Sequence, residues 1–197
     1  MASVVKRMFD EITTQIEESI SVKETMLNHN IIDIQNIAKA IIKCYENGGK
    51  VITMGNGGSA ADAQHFVAEL SGRFMKDREP LPAICLNTNV STITAIANDY
   101  GYDEIFKRQI DAVAEPGDVV IGISTSGNSK NINRALQRAI DTECITIGIG
   151  GKGGGIMNNV SEYKFTVMSS NTPRVQEAHI TAIHIICGLV EQALFPD

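Results

Sequence analysis

Residues 51–74 read VITMGNGGSAADAQHFVAELSGRF, and this stretch decides the fold. Val51 to Met54 is a short apolar run of the kind a strand buried on both faces requires. It breaks in Gly55-Asn56-Gly57-Gly58-Ser59, a turn in which glycines let backbone amides approach a polar ligand. Ser59 stands where a helix N-cap is expected. The helix that follows carries His65 and Glu69 four residues apart, hence on one face and able to reach one ligand.

The strand–turn–helix pattern repeats outward from this unit. Residues 83–86, 119–123, 145–149 and 163–167 are short, apolar and rich in Val and Ile, with helical stretches between most of them. That predicts a three-layer, doubly wound, five-stranded parallel sheet with helices on both faces. Two helices precede it, over 3–27 and 31–45, and a long apolar helix over 175–195 closes the chain after Thr172-Pro173. The first helix places Val5, Met8, Phe9, Ile12, Ile16 and Ile20 on one stripe. Residues 1–48 thus read as a helical extension that packs against another subunit or covers the sheet of its own. A single domain over 1–197 is the economical division.

Composition narrows the function. The chain has 197 residues, 43% hydrophobic and 20% charged, with a net charge of −6. That is ordinary for a globular protein and lacks the basic stripe of a nucleic-acid surface. Cys44, Cys85, Cys144 and Cys187 are widely spaced in apolar runs, as buried reduced thiols would be, which fits a cytoplasmic protein. Residues 1–20 are amphipathic and charged throughout, so no signal peptide is expected. No apolar run approaches the roughly 18 residues that would span a membrane.

In a parallel sheet of this type ligands gather beyond the carboxyl ends of the strands, where strand order reverses. The loops to weigh are therefore 55–59, 87–92, 124–129 and 150–155. The first formally fits a G-x-G-x-x-A dinucleotide fingerprint, but the second strand ends in Cys85-Leu86-Asn87-Thr88, with no acid to grip a ribose. A turn that contacts a small polar ligand is the simpler reading. The third, Ser124-Thr125-Ser126-Gly127-Asn128-Ser129, offers four hydroxyls and a glycine at a helix N-terminus. Hydroxyls, amides and helix dipole together suit a phosphate monoester, and the absence of a G-x-x-x-x-G-K-[ST] loop disfavours a nucleoside triphosphate. The fourth, GGKGGG over 150–155, reads as a flexible loop or, since it follows a strand, a ligand-side turn.

Three of the four histidines lie on the two helices that look functional: His65, His179 and His184. His65 and Glu69 with one or two groups of the last helix would make a tetrahedral N/O zinc set. Gln176 and His184 are eight residues apart, about 12 Å along a straight helix and about 80° around it. They converge on one metal only with long reaches, an irregular helix start, or a contribution from two subunits.

Four stretches in order, GNGGSAADA (55–63), ANDYG (97–101), ISTSGNS (123–129) and RVQEAHITAIH (174–184), resemble the sugar isomerase, or SIS, superfamily, and within it the phosphoheptose isomerase family. The resemblance implies a flavodoxin-like SIS domain in a homotetramer with active sites between subunits. It implies conversion of sedoheptulose 7-phosphate to D-glycero-D-manno-heptose 7-phosphate, the first step towards ADP- or GDP-heptose for lipopolysaccharide or another surface polysaccharide. Carried over, Asn56, Gly57, Gly58, Ser59, Glu69, Asn98, Asp99, Ser124, Thr125, Ser126, Ser129 and Gln176 would contact substrate. His65, Glu69, Gln176 and His184 would hold one Zn2+ per subunit, with Glu69 as base and His184 as acid. A non-enzymatic member of the superfamily binds the replication initiator at the chromosomal origin and is similar in length and loops. It lacks equivalents of Glu69 and His184, and both are present here. An isomerase of another phosphosugar is the remaining reading.

Overall fold

The structure, a computed structural model, describes residues 2–196, with side chains from residue 4; Met1 and Asp197, the ends of the expected domain, lie outside it. Five parallel strands form one sheet: β1 (Val51–Gly55), β2 (Ala83–Cys85), β3 (Val119–Ser124), β4 (Ile145–Gly151) and β5 (Tyr163–Val167), in the order β2-β1-β3-β4-β5. Every neighbouring pair is parallel, with Gly55 opposite Ile123 and Ser124 opposite Gly150 at the carboxyl ends. This is the flavodoxin order, and the order in which strands are added reverses between β1 and β3.

Among the described residues seven α-helices accompany it: α1 (Ala2–His29), α2 (Ile31–Glu46), α3 (Gly58–Ser71), α4 (Val90–Tyr100), α5 (Lys107–Val113), α6 (Lys130–Asp141) and α7 (Thr172–Leu194). Strand residues alternate between two cores, as a two-unit side-chain period demands. Val51, Ile121, Ile147 and Phe165 pack with Ile37 and Ile41 of α2, Phe66 and Leu70 of α3, and Ile183 and Ile186 of α7. Ile52, Met54 and Val120 pack with Ile110 of α5 and Ile132 and Leu136 of α6. At the opposite end of the sheet, buried Asp118 accepts from the backbone of Lys50 at 2.9 Å and of Glu115 at 2.8 Å and pairs with Lys50 Nζ at 2.7 Å.

α2, not α1, covers the sheet. Met26 and Val22 of α1 reach the core, and Arg174 of α7 donates to the Gln15 carbonyl. The remaining stripe faces outward: Val5, Met8, Phe9, Ile12, Ile16 and Ile20 are 52–69% exposed. The carboxyl-terminal part of α1 thus packs on the core of its own subunit, while the stripe stays exposed. No helix among the described residues is long and apolar enough to cross a membrane.

Candidate active site

The turn after β1 is fixed by its close approaches. A Cβ on Gly55 would stand 2.2 Å from the Ser59 carbonyl oxygen, so strand and helix pass too tightly for any side chain. Gly57, at φ 57°, is the residue that caps α3. This corrects the expectation for Ser59, which lies inside the first turn and is buried. The glycine wins because the chain must enter the helix through a backbone conformation that a serine resists. Asn87 stands where a dinucleotide site would place an acid. Its side-chain amide donates to the Gly55 carbonyl at 2.9 Å and accepts from the Gly55 amide at 3.1 Å. Asn56 is clasped in turn: it exchanges two 2.9 Å amide bonds with buried Asn131 of α6 and accepts from the Tyr102 hydroxyl at 3.0 Å.

The hydroxyl-rich loop leaves β3 on the other side of the switch point. Ser124 Oγ lies 3.0 Å from Ser129 Oγ, so Ser129, at the N-cap position of α6, faces its loop partner and makes no side-chain cap. Gly127 takes φ 65°, and a Cβ there would meet the Gly154 carbonyl oxygen at 1.9 Å. The Gly127 carbonyl accepts from the Met157 amide at 2.9 Å, and Asn128 Oδ1 from the Ile156 amide at 3.1 Å. Residues 150–155 are therefore not the free loop their composition suggests. They back the hydroxyl loop at Gly155, where a Cβ would stand 2.7 Å from the Ser126 carbonyl oxygen, so its missing side chain permits the contact. Lys152 is exposed and donates its backbone amide to the Ser169 carbonyl.

Two helices bring the titratable groups together. α3 and α7 lie side by side and parallel: Gly58 adjoins Gln176, His65 adjoins His184, and Phe74 adjoins Gly188. His65 Nε2 is 2.7 Å from Glu69 Oε1 and 3.5 Å from His184 Nε2. One ligand atom from each of the three falls within 4.8 Å of the others. Two imidazoles and a carboxylate at that spacing are a donor set suited to Zn2+, so the residues present fit the metal. His65 is 44% exposed at its side chain, so the cluster opens on the subunit surface. Cys187 adjoins it, but burial, then the Glu69 carboxylate, push its thiol up to about 12, which leaves it protonated and inert.

Gln176 stands apart from this cluster. Its amide lies directly over Gly58, about two helical turns before His184. Asn98 and Asp99 sit exposed at the carboxyl end of α4, joined by a 2.9 Å bond. Asn87, Asn131 and Tyr102 are the contributors that residue pattern alone does not single out. Only Asn87 carries a signal, as the polar residue directly after β2.

His179 is core, not site. It is fully buried, donates from Nε2 to the Gly150 carbonyl at 3.0 Å, and leaves Nδ1 without a partner among the described residues. Burial lowers its pKa from 6.5 to about 4, the bond to Gly150 offsetting only part of that. An unfolded chain takes up this proton near pH 6.5 and the folded one near pH 4, so stability falls as pH falls through that window. The loss is about 3 kcal/mol. His179→Gln is expected to flatten this dependence, so that its stability deficit narrows between pH 7 and pH 4. Denaturant unfolding at a series of pH values measures it, and parallel curves would sink the assignment.

Comparison with known proteins follows the same lines. The SIS domain family model matches residues 14–151. The chain is 50% identical over 189 residues to the phosphoheptose isomerase of Geobacter sulfurreducens, covering 96% of this chain and 100% of that one. Among solved structures it is similar to a phosphoheptose isomerase from Francisella tularensis, with TM-score 0.90 and 39% identity over 93% of this chain and 98% of the other. A phosphoheptose isomerase from Neisseria gonorrhoeae superposes with TM-score 0.89 at 37% identity, covering 94% of this chain and 99% of the other.

Proposed function

We propose a function from the chain's family: it belongs to the SIS domain proteins, among the phosphoheptose isomerases. Its chemistry is that of a sugar-phosphate isomerase. The substrate we assign is sedoheptulose 7-phosphate and the product D-glycero-D-manno-heptose 7-phosphate, which feeds nucleotide-activated heptose for bacterial surface polysaccharide. The observation that carries the reading is the meeting of His65, Glu69 and His184, drawn from helices more than a hundred residues apart.

The interconversion moves one proton between neighbouring carbons. Glu69 takes a proton from C1 of the ketose, and the C–H electron pair becomes the C1=C2 bond of an enediol as His184 delivers a proton to the C2 oxygen. His184 then accepts the proton of the C1 hydroxyl while Glu69 returns its proton to C2, leaving the aldehyde at C1. No external oxidant or reductant is needed. Glu69 has two oxygens; Oε1 faces His65, and the reading gives the base role to the other. His65, Glu69 and His184, with Gln176 contributed by the long reach or by another subunit, would hold Zn2+, which when bound supplies Lewis-acid polarisation of the sugar oxygens. Ser124, Thr125, Ser126 and Ser129 anchor the distal phosphate, and that remote binding energy positions the reacting end. Asn56, Gly57, Gly58, Ser59, Asn98 and Asp99 contact the sugar chain.

The outward stripe of α1 supports assembly through that helix, and we place the enzyme in the cytoplasm as a homotetramer with active sites between subunits. Purified protein supplied with zinc is expected to form aldose from sedoheptulose 7-phosphate in preference to fructose 6-phosphate or arabinose 5-phosphate. Turnover of either of those without the heptulose would reassign the substrate.

A further inference from the structure

Arg78 and Glu191 have no part in the proton transfers above, yet both side chains are only 3% exposed and each is heavily bonded. Glu191, near the end of α7, accepts from three successive backbone amides: Phe74 at 3.1 Å, and Met75 and Lys76 at 2.8 Å each. Arg78 Nε adds a fourth bond at 3.0 Å. Burial pushes the Glu191 carboxyl up, but these donors more than offset it and hold it below its ordinary range.

The rest of the Arg78 fork is spent on the end of α3. Nη2 donates to the Glu69 carbonyl and Nη1 to the Leu70 carbonyl, both at 2.9 Å. Nη1 also reaches the Glu79 carbonyl at 2.9 Å. Carbonyls in the last turn of a helix have no partner within the helix, and a guanidinium supplies one with fixed direction. The residue whose main chain is gripped in this way is the one whose carboxylate faces His65. The residue that grips Arg78 lies on the helix that carries His184, about two turns further on.

We propose that Arg78 and Glu191 are positioning residues of the reaction centre: their ion pair fixes the last turn of α3 against α7 and so sets Glu69 and His65 opposite His184. The inference rests on the assignment of those three residues made above. A stabilising role alone would not require this chemistry, because a buried ion pair contributes little that a well-packed apolar pair would not. What an apolar pair lacks is the direction of the guanidinium fork onto one carbonyl.

Two variants test it. Arg78→Lys keeps a cation for Glu191 but loses the planar fork. Arg78→Met combined with Glu191→Gln leaves an oxygen to accept from the amides of Met75 and Lys76 and no orphan charge, at the loss of the bond from the Phe74 amide. Folding and assembly are checked by circular dichroism and sedimentation, zinc affinity by competition with a chromophoric chelator, and ligand geometry by the visible spectrum of the cobalt-loaded protein. Both variants are expected to fold, to bind zinc about tenfold or more weakly, to shift the cobalt spectrum, and to lose kcat with KM within about twofold. A folded variant with wild-type zinc affinity and wild-type kcat overturns the positioning role. Wild-type protein that takes up no zinc overturns the reaction-centre assignment itself, and this proposal with it.

Discussion

Glu69→Gln is expected to lower kcat for the isomerisation by about 10³-fold, within the range a positioned general base contributes, while KM for the phosphosugar stays near its wild-type value. Glutamine keeps the size of the side chain and an oxygen that can accept from His65, 2.7 Å away in the wild type. It cannot take the proton from carbon. Among the described residues Glu69 supplies the only carboxylate of the three-residue cluster, so no neighbour substitutes for it. His184→Ala should be comparably impaired through loss of the acid. Both side chains are partly solvent-facing, so the fold and the proposed tetramer should survive. Steady-state kinetics with sedoheptulose 7-phosphate, and sedimentation of the same preparations, read the two outcomes. Turnover near wild type in Glu69→Gln would move the base elsewhere.

Gly127→Ala is expected to reduce kcat/KM by about 10²-fold through displacement of the hydroxyl loop to which we assign the phosphate, the size of effect that a shift of about 1 Å produces. Two causes combine. The position sits at φ 65°, and its Cβ would stand 1.9 Å from the Gly154 carbonyl oxygen, a backbone atom that cannot rotate away. Either the hydroxyl loop or the backing loop must shift. Gly153→Ala separates the causes, because Gly153 has φ 77° with nothing within 4 Å of its Cβ. It carries the conformational strain without the collision and should lose stability of about 1 kcal/mol with little effect on kcat/KM. Zinc uptake should be unchanged in both, since neither residue belongs to the His65–Glu69–His184 cluster. Equal kinetics for the two variants would show that the contact between loops does not hold the phosphate site.

β1, β3 and β4 are legible because each is a short run of Val and Ile buried on both faces, a pattern that needs no knowledge of its neighbours, whereas the edge strands β2 and β5 expose Ile84 and Lys164; β5 falls over 163–167 as expected, and the others differ by one or two residues at an end. α4 was harder. It has no fully buried residue, and its apolar face is short, limited to Ile93, Ile96 and Ala97, which pack against the core. The helical nature of α1 follows from its stripe, but the same stripe fits cover for the sheet or for another subunit. Only packing shows that α2 occupies the sheet and leaves the stripe of α1 exposed.

Within the site, the sequence by itself determined the local chemistry: a glycine turn after β1, hydroxyls at the head of α6, and His65 with Glu69 on one helical face. These are consequences of residue type and of periods of two and 3.6, and they are set within a few residues. The tertiary structure alone decided which distant groups meet. It set His184 beside His65 while leaving Gln176 at Gly58, two turns away. It turned 150–155 from a run of glycines into the wall behind the hydroxyl loop. It closed Asn87 on Gly55 and joined Arg78 to Glu191 across 113 residues. Such contacts are bonds between single side chains and distant backbone, and they impose no repeat on the chain. Their physical cause is the parallel course of α3 and α7 and the pairing of β3 with β4, which only the folded sheet brings about.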